Sequence, residues 1–187
     1  MQKARAEAKP QDFKTGAKGS LRYGTGHAQI ESVRLLDQHG ANVQAYNYGE
    51  TITIEATILG IIEVSNLDVA FVVRDATGVD LFGSGTADER VQLATLKEDD
   101  KVTVRFSFVN NLRGGNYGVS MTLTRLPSAA GEFGVTLDNI DACASFRIVP
   151  DLSRVVHHKF YCPIAVEVAA GGPALQGRPT RSDLHRD

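Results

Sequence analysis

The feature that most limits how this chain can fold is the run 102–125. Val102, Val104, Phe106 and Phe108 alternate with Thr103, Arg105 and Ser107, the two-residue period of a half-buried strand. Asn110, Asn111, Gly114, Gly115 and Asn116 follow as a dense turn signal. A second alternating run comes next, with Tyr117, Val119, Met121 and Leu123 on one face and Gly118, Ser120, Thr122 and Thr124 on the other. Two adjacent strands joined by a glycine-rich corner predict an antiparallel sheet with one buried face and one face of small polar side chains.

The rest of the chain repeats this pattern at short intervals. The run 27–37 reads as a strand whose apolar phase slips between Ile30 and Val33, which predicts a bulge. In 51–59, Ile52, Ile54, Ala56 and Ile58 face inward and Thr51, Thr53, Glu55 and Thr57 outward. The run 67–74 is denser in apolar residues and reads as a central strand; Asp75-Ala76-Thr77-Gly78 turns it into 79–82. A loop with a short strand is expected over 87–96, a solvated acidic turn at Glu98-Asp99-Asp100, a loop over 127–141, a strand over 142–149 and a last strand over 160–168. Eight or nine short strands with no helical run inside them predict an all-β chain, an immunoglobulin-like antiparallel β-sandwich. Tyr117, placed after Leu112 and Gly115, fits the tyrosine corner of such domains, whose hydroxyl bonds back to loop backbone.

Composition sets the outer limits. At 187 residues with 42% apolar content, the chain suits one domain, read here as 21–168, between a flexible linker or tether at 1–20 and a disordered tail at 169–187. A net charge of −2 gives no field for nucleic acid. The longest apolar runs fall far short of the ~20 residues that span a bilayer, and no signal peptide is visible, so a soluble cytosolic chain is expected. Cys143 and Cys162 are read as two reduced thiols.

Catalytic and metal chemistry find little support. His27, His39, His157, His158 and His185 make no zinc-like spacing with the cysteines, so no metal or other cofactor is expected. No G-x-S-x-G elbow is present, and Gly83-Ser84-Gly85 reads as a tight hairpin end. Gly24-Thr25-Gly26 lacks the following helix of a phosphate-cradling loop and reads as a special strand entry. The chain is therefore expected not to be an enzyme. The outward positions of three strands that would share a sheet offer Ala70 and Arg74, Ser120, Thr122 and Thr124, and Ser145 and Arg147. Such a shallow polar face suits sugar hydroxyls, and its arginines suit an anionic group. Tyr46, Tyr48 and Phe82 near turns are candidates for a stacking ring, or equally for plugs at the ends of the core.

Three segments carry a family resemblance. Arg22-Tyr23-Gly24-Thr25-Gly26-His27-Ala28-Gln29-Ile30 resembles the opening signature of the C-terminal, Wzt-type domain of polysaccharide-exporting ABC transporters. Residues 74–86, from Arg74-Asp75 through Phe82-Gly83-Ser84-Gly85-Thr86, are similar to its second, and Leu112 to Tyr117 to its third, an L-x-x-G-x-Y corner. No ATPase P-loop precedes them, so the resemblance is to the C-terminal domain alone. It implies a non-catalytic module that recognises O-antigen polysaccharide, often at its non-reducing end. It also implies work beside the ATPase domain and membrane subunit of the exporter, at the cytoplasmic face of the inner membrane. Members form homodimers in which the last strand can be exchanged between protomers. The alternative is a structural dimerisation or adaptor module whose sheet face contacts protein.

Overall fold

The computed structural model describes the backbone of residues 11–12 and, with side chains, residues 21–153 and 155–167. Ten strands follow in chain order: β1 (Gln11–Asp12), β2 (Arg22–Tyr23), β3 (Ala28–Leu36), β4 (Ala45–Asn47), β5 (Thr51–Gly60), β6 (Leu67–Asp75), β7 (Asp80–Gly85), β8 (Lys101–Val109), β9 (Gly115–Arg125) and β10 (Val135–Val149). No helix occurs among the described residues. One sheet runs β1-β3-β5-β8, the other β2-β10-β9-β6-β7 with β4 added in parallel beside β10; every other pairing is antiparallel. Of the segment read as a linker, Gln11 and Asp12 pair with β3, and the remainder, like the tail 169–187, lies outside the described residues.

The alternating sequence explains the sandwich. Ile52, Ile54, Ala56 and Ile58 of β5 are fully buried, as are Val69 and Val73 of β6 and Val119, Met121 and Leu123 of β9. Each buried isoleucine or leucine contributes about 1.5–3 kcal/mol through the area it removes from water. The apolar side chains of β8 are only half-buried, because β8 is the last strand of its sheet. Phe106 and Phe108 nevertheless join a ring cluster with Phe71 and Phe82, at centroid distances of 4.9 Å for Phe71–Phe106 and 5.1 Å for Phe82–Phe108. Phe82 is thereby a core plug rather than a free ring. The corner is present as expected: the Tyr117 hydroxyl donates to the Arg113 carbonyl at 2.6 Å, and its ring stacks on Phe146. The expected slip in β3 falls between Ile30 and Ser32.

Four expectations need correction. The strand expected from residue 142 begins at Val135, inside the segment expected to be a loop. Its register slips between Thr136 and Asp138 and again between Ile140 and Ala144, with Ala142 at φ +50°, so its side chains alternate cleanly only from Ala144 on. The last expected strand is absent over the described residues: Phe160 makes a single bridge to Leu112, and Ile164 and Val166 stay exposed. The segment 87–96 holds one bridge, Leu96 to Val64, and no strand. Gly83-Ser84-Gly85 lies inside β7 and closes no hairpin.

A buried ion pair ties the two sheets together. Arg22 on β2 donates from Nε and Nη2 to Asp138 on β10 at 2.9 and 2.7 Å, and Asp138 also accepts the Ile30 amide of β3 at 2.8 Å. On the other sheet, Arg34 and Arg105 both donate to Glu55, whose side chain is only 3% exposed. Burial pushes the Glu55 carboxyl up, but hydrogen bonds from the two guanidiniums outweigh it and hold the group below its usual range.

Candidate functional site

The register of the larger sheet decides which outward side chains meet. Partners in an antiparallel ladder share a face, with Cβ atoms about 5 Å apart. One row across the sheet is Asp80, Arg74, Gly118 and Ser145; another is Gly85, Ala70, Thr122, Asn139 and Tyr23. Between them lie Val72 and Ser120, opposite the second irregularity of β10. That irregularity brings Asp141 onto the same face, where its carboxylate accepts the Ser120 hydroxyl at 2.6 Å. Ser120 in turn accepts the Ala142 amide at 3.0 Å and Arg74 Nη1 at 3.3 Å.

Arg74 is the hub of this cluster. Its Nε donates to Asp80 on β7 and its Nη1 to Asp141 on β10, so one guanidinium spans four strands. The hydrogen bond to Asp80 raises its pKa, burial opposes the rise, and the Asp141 charge adds to it. Next to the cluster, Asn139 Nδ2 donates to Thr122 Oγ1 at 2.6 Å. Thr122 can then donate its own hydroxyl proton outward, while the Asn139 carbonyl accepts. The result is a rigid polar surface on the central strands of the sheet, well suited to neutral polyhydroxylated ligands.

The sequence of this chain, compared with known families, matches the Wzt C-terminal domain over residues 19–159. The chain belongs to the Wzt C-terminal domain family. That family comprises carbohydrate-binding domains of ABC transporters. A crystal structure of the C-terminal domain of Wzt superposes with a TM-score of 0.72 at 12% identity, covering 86% of this chain and 93% of that one. At that identity the match speaks for the fold. Weaker likenesses are a CARDB domain from Pyrococcus furiosus (12% identity, 67% of this chain and 97% of that one, TM-score 0.35) and the sporulation control protein Spo0M from Bacillus subtilis (13%, 67% and 51%, TM-score 0.39). No curated protein sequence matches.

The Wzt-type signatures now have physical reasons. In the first, Arg22 makes the ion pair with Asp138, and Gly24 and Gly26 take φ of +145° and +76°. A side chain at Gly24 would collide with the Leu137 backbone, so this strand entry is open to glycine only. In the second, Asp75 Oδ1 accepts the amides of Thr77 and Val79 at 2.8 and 3.1 Å and shapes the turn between β6 and β7. Its carboxyl is held well below the usual range, first by Lys159 and then by Thr77.

Of the expected site residues, the fold brings Arg74, Ser120 and Thr122 together. Thr124 stands one row further along β9, beside Asp68 and Thr136. Ser145 and Arg147 are exposed on β10 beyond its irregularity, on the same sheet but outside the cluster. Ser120 is itself buried under Arg74 and Asp141 and supports the surface rather than forming it. The expectation that Tyr46 offers a stacking ring is corrected: it is 0% exposed and packs edge-on against Phe146 in the core. Tyr48 is half-buried and lines a cavity of about 290 Å³ with Arg113 and His157 at the end of the sandwich. The expected anion-pairing role of Arg74 does not fit either, since two aspartates already hold its charge. Sequence reasoning missed Asp80, Asn139, Asp141 and Tyr23. The two β10 residues fell in the expected loop, and Tyr23 faces this surface only because β2 pairs with β10.

Proposed function

We propose that this domain binds O-antigen polysaccharide, near its non-reducing end, on the outer face of the six-stranded sheet. The observation that carries this reading is a pair of hydrogen-bonded groups side by side on the sheet's outer face, Arg74 with Ser120 and Asp141, and Thr122 with Asn139, in a family of carbohydrate-binding domains. Pyranose recognition needs fixed donors and acceptors, and these side chains are locked by one another before any ligand arrives. The domain acts by binding and not by catalysis, and hands the glycan to an ABC exporter through its ATPase and membrane subunits at the cytoplasmic face of the inner membrane. No helix among the described residues is long and apolar enough to cross a membrane. It works as a homodimer in which the apolar segment after Lys159, with Phe160, Tyr161, Ile164 and Val166 exposed, adds to a sheet edge of the partner.

Calorimetric titration of the domain with the producing strain's own finished polysaccharide tests this. Binding is expected, and Thr122→Val with Asn139→Ala should weaken it at least about fivefold while thermal unfolding stays within a few degrees. Arg147→Ala, on an exposed side chain, should weaken it less. A folded domain that gives no heat of binding refutes the reading. Light scattering on the same sample should read twice the 20.2 kDa of one chain, and a monomer at all concentrations refutes the exchanged dimer.

A further inference from the structure

The proposed site has a chemical preference that follows from Tyr23 and from the charge balance around Arg74; the inference rests on the glycan-binding reading above. Arg22 points to Asp138 on the inner side of the sheet, so strand alternation turns Tyr23 to the outer side. There Tyr23 is the direct ladder partner of Asn139, which is bonded to Thr122, and its ring is 55% exposed. The surface beside this pair is low: Ala70 is the next partner of Thr122 and Gly118 that of Arg74, and a side chain added at Gly118 would meet only open space. A flat aromatic ring beside fixed polar groups over a low floor matches one pyranose, with its C–H face on the ring and its hydroxyls toward Thr122, Asn139 and Asp141.

The charge of this surface is negative. Arg74 supplies one positive group and is held between Asp80 and Asp141, whose side chains remain 60% and 45% exposed. The bonds from Arg74 and Ser120 to Asp141 both fall on Oδ1, which leaves Oδ2 as a charged acceptor without a partner among the described residues. Asp68, one row further, adds another carboxylate, itself bonded to Thr86 and Ala87. Arg147 is the opposing charge, but its ladder partner Asn116 lies six positions along β9 from Thr122, the partner of Asn139, about 20 Å at strand rise. Asp141 is two positions from Asn139.

We infer that this face selects a neutral or amino-bearing pyranose, stacked on Tyr23 and bonded by Thr122, Asn139 and Asp141, and turns away sugars that carry phosphate or carboxylate. The carboxylate oxygens accept hydrogen bonds from hydroxyl or ammonium groups and repel an anion placed at the same distance.

The test applies the full 187-residue chain to an array of glycans with neutral, amino-bearing, and phosphate- or uronic-acid-bearing termini. Signals should fall on the neutral and amino classes, with acidic termini at least about threefold weaker. Tyr23→Ala should lower the neutral signals at least about fivefold and Tyr23→Phe should restore them, since the ring and not the hydroxyl does the stacking. Asp80→Asn, on an exposed side chain, should narrow the gap between neutral and acidic classes. Signals confined to acidic glycans, or neutral signals untouched by Tyr23→Ala, overturn this inference and leave glycan binding standing. No signal on any class, from a folded chain, removes the binding reading and this inference with it.

Discussion

Replacing Asp138 with alanine should remove the carboxylate that bridges the two sheets, and its cost can be worked from three hydrogen bonds. The carboxylate accepts Nε and Nη2 of Arg22 and the amide of Ile30. Ile30 is 0% exposed, so its stranded N–H costs about 1–3 kcal/mol. A fully buried guanidinium left unpaired would cost about 3–5 kcal/mol. The Arg22 side chain is 22% exposed and keeps its Nη2 bond to the Ile30 carbonyl at 3.2 Å, so its share falls to about 1–2 kcal/mol. The expected loss is about 3 kcal/mol. With a urea dependence of about 2 kcal/mol per molar, the unfolding midpoint falls by about 1.5 M. The chain has no tryptophan, so circular dichroism in the β-sheet band is the readout. Arg22→Ala combined with Asp138→Ala should be less damaging than the two single changes added, because the double variant strands no charge. A midpoint shift below about 0.5 M, or strict additivity in that cycle, would refute the reasoning.

Acid should weaken the other sheet through Glu55. Its folded pKa lies below the unfolded value, so the stability it brings is present above about pH 4.5 and is lost as pH falls through the lower, folded value. Urea midpoints taken from about pH 6 down to pH 3 should fall less for Glu55→Gln than for the unchanged chain; parallel curves would show that the Arg34–Glu55–Arg105 contact contributes nothing. The two thiols should differ sharply. Burial pushes the Cys143 thiol up to about 12, whereas Cys162 is exposed. A colorimetric thiol reagent should count one fast cysteine in the native domain and two after unfolding; equal native rates would contradict the burial of Cys143.

The strands with regular alternation were legible from residue order alone. β8, β9 and β5 as far as Ile58 alternate apolar residues with small or polar ones, and a period of two admits no other face assignment. The corner at Tyr117, the bulge in β3 and the glycine strand entry at Gly24 were legible for a similar reason, since each is a local conformational demand. β10 was half hidden because its two irregularities spoil the alternation across Val135 to Ala144. The segment after Lys159 looked like a strand because apolar residues recur there, yet pairing needs an available edge and not composition alone.

The proposed binding face shows the same division more clearly. That Ser120, Thr122 and Arg74 point away from the core follows from their own strands, because side-chain direction is fixed by parity within a strand. What stands beside them is a matter of register between segments far apart in sequence. Asp80 meets Arg74 through the β6–β7 hairpin, Asp141 arrives through an irregularity, and Tyr23 reaches Asn139 across more than a hundred residues of chain. The sequence alone therefore determined an all-β sandwich with a small polar outer face and the family signatures that mark it. Only the tertiary structure decided that Arg74 is a neutralised hub instead of an anion site, that Tyr46 is core, and that Tyr23 is the ring on the surface. Parity is a property of one strand, whereas charge balance and stacking partners are properties of the whole sheet.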